Sequence, residues 1–233
     1  MSSTGVEKIV ERQMRNWELA RSQKQAAPQA HRTFEFITIS RQKSSGGSAL
    51  ARRLGERIGW QVYDREILNY MAHNDAVQGK IYEFADEHAE GYLESILKNL
   101  GFEGPSEGSD YFRKLVSSVG MIAQSNHAIF VGRGVNFVLP AEHGLRVRVV
   151  APEDLRFKRY AEGNGCSLAA AAAAVRRLDA DRAKFLREHF DVDGSSPEHY
   201  NMVVNTAMLT TDMAVAMVVE GLEHKTRVRV RRK

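Results

Sequence analysis

Short apolar runs alternate with stretches of helical periodicity along most of the chain. The runs that predict buried strands cover residues 34–39, 60–63, 128–131, 145–150 and 201–204. After the first run, Leu50, Leu54 and Ile58 fall on one helical stripe, and similar patterns follow most of the others. Strands that alternate with helices predict an α/β fold with a mainly parallel sheet covered on both faces.

The spacing of apolar residues also predicts the helices further along the chain. Residues 74–126 are expected to be mostly helical, with a turn-rich interruption at residues 101–108. Pro152 and the two acidic residues after it predict a helix start. Ser167 is placed to cap another helix, which is expected to reach about His189.

The two ends of the chain differ from its middle. Val6, Val10, Met14 and Trp17 fall at helical spacing, so residues 1–32 are predicted to form a helical appendage and linker before a domain over residues 33–224. The apolar face of that helix must be buried on the domain or on a second copy, which leaves a homo-oligomer through this helix open. Residues 225–233 form a basic tail.

Composition narrows the class of protein. A hydrophobic content of 43% and a charged content of 27% are ordinary for a soluble globular chain. No apolar run reaches the roughly 18 residues that span a bilayer, so no membrane partner is expected. The single cysteine, Cys166, cannot form an intrachain disulfide, and charged residues interrupt any secretion signal. We therefore expect a cytoplasmic protein.

A modest net charge of +4 is concentrated in the basic tail. Such a run is usually a solvated segment that aids solubility, although it can also contact nucleic acid. Aromatic residues are not interleaved with the basic ones, as they are on surfaces that stack bases. A nucleic-acid partner is therefore the less favoured expectation.

The segment from Ser40 to Ser48 is the strongest candidate for chemistry. A buried strand passes through a Ser/Gly turn directly into a helix, where Gly46 and Gly47 allow close backbone approach to an anion. Arg41 and Lys43 add positive charge. The phosphate-loop pattern G-x-x-x-x-G-K-[ST] requires lysine where this chain has Gly47. The alternative is a glycine-rich turn with exposed basic residues.

Two other polar groups follow predicted strands, and in parallel sheets ligands bind beyond the carboxyl ends of the strands. They are Asp64-Arg65 and Gly132-Arg133-Gly134. Arg133 could bind a second phosphate through its guanidinium fork, or form a surface salt bridge. The helix after Ser167 carries several arginines that could stabilise a migrating phosphoryl group, or could simply form a solvated face.

These residues together resemble the cytidylate kinase-like family, a branch of the nucleoside monophosphate kinases. The resemblance covers residues 34–222 in family order, and its motifs are Ile37–Gln42 with Ser45–Gly47, Tyr63–Leu68, Val131–Asn136, Ala151-Pro152, Asp179-x-x-Arg182 and Asn205-Thr206. It implies a P-loop kinase-type three-layer fold, with a five-stranded parallel sheet flanked by helices, a helical insertion and a helical lid.

The resemblance also implies an activity and its residues. The γ-phosphate of ATP would pass, with Mg²⁺ as cofactor, to a nucleoside monophosphate, nominally CMP or dCMP. The ATP phosphates would be held by Ser44, Ser45, Gly46, Gly47 and Ser48, with Ser48 as the Mg²⁺ ligand. The acceptor would contact Asp64, Arg65, Arg133 and Asn136. Catalytic cations would be Arg177 and Arg182 from the lid, together with Arg41 or Lys43.

Three positions differ from well-characterised cytidylate kinases. Gly47 stands in place of the loop lysine, Val131 in place of an aspartate, and Gly134 in place of an acidic residue after the arginine. The alternative function is therefore a nucleotide-binding regulatory protein that keeps the kinase fold with weak or absent turnover.

Overall fold

Five parallel strands form the sheet, and each falls within two residues of a run predicted from the apolar pattern. The computed structural model describes residues 3–26, 34–84, 87–101, 110–227 and 229–230. The strands are β1 (Phe36–Arg41), β2 (Gln61–Tyr63), β3 (Ala128–Val131), β4 (Gly144–Val150) and β5 (Met202–Asn205). Their order is β2-β3-β1-β4-β5. The predicted α/β class and five-stranded parallel sheet are confirmed.

The helices follow the strands as the spacing of apolar residues predicts. They are α1 (Ser3–Ala26), α2 (Gly47–Ile58), α3 (Arg65–His73), α4 (Asp75–Phe84), α5 (Glu87–Asn99), α6 (Asp110–Ser125), α7 (Val135–Val138), α8 (Glu153–Asn164), α9 (Leu168–Phe190) and α10 (Thr211–Thr226). The Ser167 side chain accepts a hydrogen bond from the Ala170 N–H, so its predicted cap is confirmed. Pro152 precedes α8 as its N-cap residue. Of the turn-rich stretch predicted at residues 101–108, all but Gly101 lies outside the described residues.

The chain divides into two units, and the sheet belongs to the unit of residues 37–62, 129–137 and 144–233. In this unit α10 packs on both α2 and β4. The apolar stripe of α2, including Leu54, is buried against strand residues such as Ile39 and Val147, and Val218 of α10 joins the same core. This packing fixes the start of α2 beside the carboxyl ends of β1 and β4.

The other unit comprises residues 1–36, 63–128 and 138–143 and is mainly helical. Helix α1 packs on α3, α4 and α6, which buries Val10 and Trp17. The buried Gln13 Oε1 atom accepts hydrogen bonds from the Tyr63 hydroxyl at 2.5 Å and from Asn126 Nδ2 at 3.0 Å. The apolar face of α1 is thus covered within one chain and is not a reason to expect a second copy.

The start of the basic tail packs on the sheet unit, where the sequence favoured a solvated segment. Lys225 Nζ donates to the Gly144 carbonyl at 2.7 Å, and Val230 is buried in the core of that unit. Within the described ranges, no helix has an apolar stretch sufficient to cross a bilayer.

Candidate phosphate-binding site

The turn between β1 and α2 presents backbone N–H groups at a helix start. Ser44 and Gly46 have positive φ angles of 59° and 86°, so this segment bends sharply before α2. No side chain caps α2. The first N–H groups of a helix lack partners within the helix and carry the positive end of its dipole. The turn therefore has the backbone arrangement that binds phosphate oxygens.

Side chains around the turn hold it against the sheet. Ser45 is fully buried, and its hydroxyl donates to the carbonyls of Gln42 at 2.9 Å and Val149 at 3.1 Å. The Thr206 hydroxyl, just beyond β5, donates to the Ser45 carbonyl at 2.7 Å, and Arg159 Nη1 donates to that hydroxyl at 2.9 Å. The Ser45 N–H donates to the Gln42 carbonyl at 3.3 Å, so Ser45 anchors the turn to the protein through both its hydroxyl and its backbone.

Asp179 of α9 contacts the first residues of the turn. Its carboxylate accepts from the Lys43 N–H at 2.6 Å, from Arg156 Nη1 at 2.5 Å and from Arg182 Nη1 at 3.3 Å. Arg182 Nη1 also donates to the Arg41 carbonyl at 3.0 Å. Arg182, which the resemblance implied to be catalytic, therefore lies beside the turn.

Two other arginines of α9 differ in their surroundings. Arg176 pairs with Glu153 at 3.1 Å and stacks over Phe157. Arg177, also implied to be catalytic, is exposed and has no hydrogen bond or ion pair with any described residue. Arg177 and Arg182 are five residues apart, which is not the spacing of three or four that places residues on one helical face, so they do not share one environment.

The two candidate cations of the turn also occupy different surroundings. The Arg41 side chain runs beside Gly47 and Gly132, both in the sheet unit. Lys43 places its Nζ atom 5.3 Å from the centre of the Tyr160 ring on α8.

Arg133 lies just beyond β3 among aromatic side chains. It adopts a φ of 55°, and its guanidinium lies 4.9 Å from the centre of the Phe185 ring. A Cβ atom at Gly134 would lie 2.1 Å from the Phe190 ring. Phe190 therefore fills the space that the side chain of an acidic residue at position 134, which the resemblance led us to expect, would need. Asn136 is 4% exposed, and its Nδ2 has no hydrogen-bond partner among the described residues.

Asp64 and Arg65 belong to the helical unit. The Asp64 carboxylate accepts from the N–H groups of Glu66 at 3.0 Å and Ile67 at 3.1 Å, which makes it the N-cap of α3. Arg65 is the exposed first residue of that helix. The structure thus gives Asp64 a local role that its residue type alone explains.

Sequence reasoning missed the arginines that brace the site. Arg156 is 4% exposed, and its Nε donates to the Ala151 carbonyl at 3.1 Å. Arg148 of β4 bonds to the Gly194 carbonyl and lies 3.3 Å from the Tyr200 hydroxyl, fixing the segment after α9. The three-residue spacing of Arg156 and Arg159 places both on one helical face, which was an available signal.

The donor set at the turn fits Mg²⁺ delivered with a nucleotide. Ser48 is exposed in the first turn of α2, where its hydroxyl is available as one ligand. Among the described residues no group of three His, Cys, Asp or Glu side chains could hold a metal ion by itself. Mg²⁺ usually takes one or two protein ligands, with phosphate oxygens and waters completing its shell.

The sheet order, the glycine-containing turn and the helix that follows it define a protein of the P-loop kinase-type fold. The family model of the cytidylate kinase-like family matches residues 36–208. The chain belongs to that family. This confirms the resemblance read from the sequence.

Two solved structures align with most of this chain. An uncharacterized protein from Eubacterium ventriosum ATCC 27560 is 17% identical, with a TM-score of 0.65 over 83% of this chain and 99% of that one. A gluconokinase from Sinorhizobium meliloti 1021 is 12% identical, with a TM-score of 0.48 over 84% of this chain and 95% of that one.

One curated relative is a uronate isomerase of Corynebacterium glutamicum, 30% identical over 110 residues. That match covers 47% of this chain, and the chain spans only about a fifth of the relative's length (21%).

Proposed function

We propose that the protein is an ATP-dependent phosphotransferase that moves the γ-phosphoryl group of ATP to CMP, dCMP or a related small acceptor. The observation that carries the proposal is the junction of the phosphate-binding turn with α9. Arg182 bonds to the Arg41 carbonyl, and the Asp179 carboxylate bonds to the Lys43 N–H. A cation is thus held at the leading side of the turn, where the terminal phosphate of a bound nucleotide would lie.

The chain's own residues account for most of what such a transfer needs. The N–H groups of Ser44 and Gly46–Ser48 would bind the ATP phosphates, and Arg182 would stabilise charge on the migrating group. Mg²⁺ held by Ser48 and the phosphates would neutralise further negative charge. No general base is required, because an acceptor phosphate is already an anionic nucleophile. Positioning and charge stabilisation are therefore the main catalytic effects.

Arg133 is the best-supported contact for the acceptor. It follows β3, which lies beside β1 in the sheet, and Phe185 supports its guanidinium plane. A supported guanidinium can bind two oxygens of one phosphate or carboxylate at once. The roles of Asp64, Arg65 and Asn136 remain predictions, as does a cytoplasmic location, which suits an ATP-dependent enzyme with one free cysteine.

The rival function is a nucleotide-binding regulatory protein without turnover. Such a protein needs the turn but has little use for arginines that converge beside it. Arg182 is bonded to the loop backbone, and the Arg41 side chain runs beside Gly47. This arrangement favours the enzyme.

A coupled assay of ADP release tests the proposal. Purified protein with ATP and Mg²⁺ would be given CMP, dCMP, UMP, AMP, shikimate and glucuronate, the last because the curated relative is a uronate isomerase. We expect at least one acceptor to raise ADP release above ATP hydrolysis. If ATP binds but every acceptor leaves the rate unchanged, the regulatory function replaces this one.

The matched variants are Arg133→Ala and Arg52→Ala. Arg133→Ala should weaken use of the acceptor more than ATP binding, whereas equal loss of both would make Arg133 structural. Arg52 is exposed on α2 and has no hydrogen bond or ion pair with a described residue, so its loss should change neither.

A further inference from the structure

The phosphate-binding turn carries its cation and its glycine in exchanged positions. The phosphate-loop pattern G-x-x-x-x-G-K-[ST] begins with glycine and has lysine in seventh place. Aligned at Gly46 and Ser48, this chain has Arg41 in the first place and Gly47 in the seventh. The positive charge that the pattern places at the start of the helix stands here at the end of β1.

The stem of Arg41 fills the space that a side chain at position 47 would need. A Cβ atom on Gly47 would lie 2.6 Å from Arg41 Cβ, 3.0 Å from Arg41 Cγ and 3.3 Å from Val149 Cβ. Separations below 3.0 Å are essentially not seen for real Cβ atoms. Lysine at 47 and the observed course of Arg41 therefore exclude each other.

The guanidinium of Arg41 lies against Gly132, which follows β3. A Cβ atom on Gly132 would lie 1.9 Å from Arg41 Nη1 and 3.0 Å from its Cζ. Because β3 and β1 are neighbours, the side chain reaches from the end of one strand to the end of the next. The absence of a side chain at Gly47 thus leaves room for the Arg41 stem, and its absence at Gly132 leaves room for the guanidinium.

We infer that Arg41 is the cation that contacts the β- and γ-phosphates of bound ATP, in place of the loop lysine. The inference rests on the proposed use of ATP at this turn. A guanidinium keeps its charge at every physiological pH and can bind two phosphate oxygens at once. Arg182 holds the Arg41 backbone carbonyl at 3.0 Å, which fixes the end of the strand from which the side chain extends.

Arg41 fits this role better than Lys43. The stem of Arg41 lies against Gly47 of the turn and its guanidinium lies against Gly132 after β3, whereas the Lys43 ammonium lies over the Tyr160 ring of α8. The Arg41 guanidinium also lies close to the end of β3, whose last residue is Val131. Well-characterised members of the group that the sequence resembles have an aspartate at the position of Val131. Since Val131 is buried and neutral, no carboxylate from that position competes with phosphate for the arginine.

The test exchanges the two residues. ATP affinity would be measured by calorimetry for the parent, Arg41→Gly, Gly47→Lys and the double variant Arg41→Gly/Gly47→Lys, with thermal unfolding of each. We expect Arg41→Gly to lose about 10- to 100-fold in ATP affinity, from the usual strength of hydrogen bonds to charged groups. Gly47→Lys alone should also bind poorly because its side chain collides with Arg41. The double variant should recover about tenfold or more over Arg41→Gly.

Two further variants keep the result interpretable. Arg41→Gln retains a long stem without the charge and should lose ATP affinity to a similar extent, even if the glycine variants unfold. Arg52→Ala removes an exposed arginine from α2 and should bind ATP within about twofold of the parent. Parent-like ATP affinity in folded Arg41→Gln overturns the inference, and so does a folded double variant that binds no better than Arg41→Gly.

The outcome is separable from that of the proposed function. ATP affinity is measured without any acceptor, so an Arg41-dependent loss supports the inference even if no acceptor is phosphorylated. Acceptor-dependent turnover that survives in Arg41→Gln with unchanged ATP affinity would leave the kinase function standing and overturn the role of Arg41.

Discussion

Loss of the Asp179 carboxylate should destabilise the sheet unit measurably. Its strongest partner is Arg156, whose side chain is 5% exposed and lies 2.5 Å away. Removing one partner of a buried ion pair leaves an uncompensated charge and costs about 3–5 kcal/mol. Asp179 is itself 26% exposed, so water can compensate in part, and we expect about 2–3 kcal/mol for Asp179→Ala.

Thermal unfolding is a direct assay of this loss. For a domain of this size each kcal/mol lowers Tm by about 2–4 °C, so Asp179→Ala should lower Tm by about 4–12 °C. Asp181→Ala is the matched control, because Asp181 is exposed on the same helix without a hydrogen bond or ion pair among the described residues. The double variant Asp179→Ala/Arg156→Met should lose less than the sum of its single variants. A Tm for Asp179→Ala within about 1 °C of the Asp181→Ala value would refute the reasoning.

Two further predictions concern stability. Gly134→Ala should lower the free energy of unfolding in urea by about 1–3 kcal/mol, because φ at this position is 68° and the added Cβ would lie 2.1 Å from Phe190. Gly163 has open space around it, so Gly163→Ala should be neutral or stabilising. Equal effects of the two substitutions would contradict this. Burial raises the pKa of Tyr63, so the folded protein keeps that proton after the unfolded chain loses it, and stability should fall above about pH 10. Tyr63→Phe should remove about 1.4 kcal/mol of that fall by about pH 11, and an unchanged pH dependence of unfolding would argue against it.

The strands could be predicted closely because their apolar runs are short and bounded by turn residues. Residues 128–131 were predicted as a strand and form β3 with the same bounds. The α1 helix was also predicted, but sequence could not say what covers its apolar face. The partners of α1 lie on α3, α4 and α6, and the first of these begins at Arg65, well after α1 ends at Ala26, so no local pattern connects them.

The location of the candidate site could be predicted from the sequence, but the roles of its individual residues could be predicted less well. Asp64 follows a strand, as a ligand-binding carboxylate would, but aspartate is equally a preferred N-cap, and the structure shows it capping α3. The sequence shows that Gly47 stands where the phosphate-loop pattern requires lysine, but it does not show what replaces that side chain. The structure shows that the Arg41 side chain occupies the space beside Gly47. Arg156 gave no signal of burial, because a charged helical residue is ordinarily exposed.

Transfer of a labelled γ-phosphoryl group from ATP to an acceptor tests the central claim most directly. With ATP labelled at the γ position, Mg²⁺ and CMP or the best acceptor of the panel, the account predicts that the label appears on the acceptor. Arg182→Ala should slow this transfer by about 100-fold or more while ATP still binds. Label found only in inorganic phosphate, with ATP bound and every acceptor unlabelled, would contradict the account.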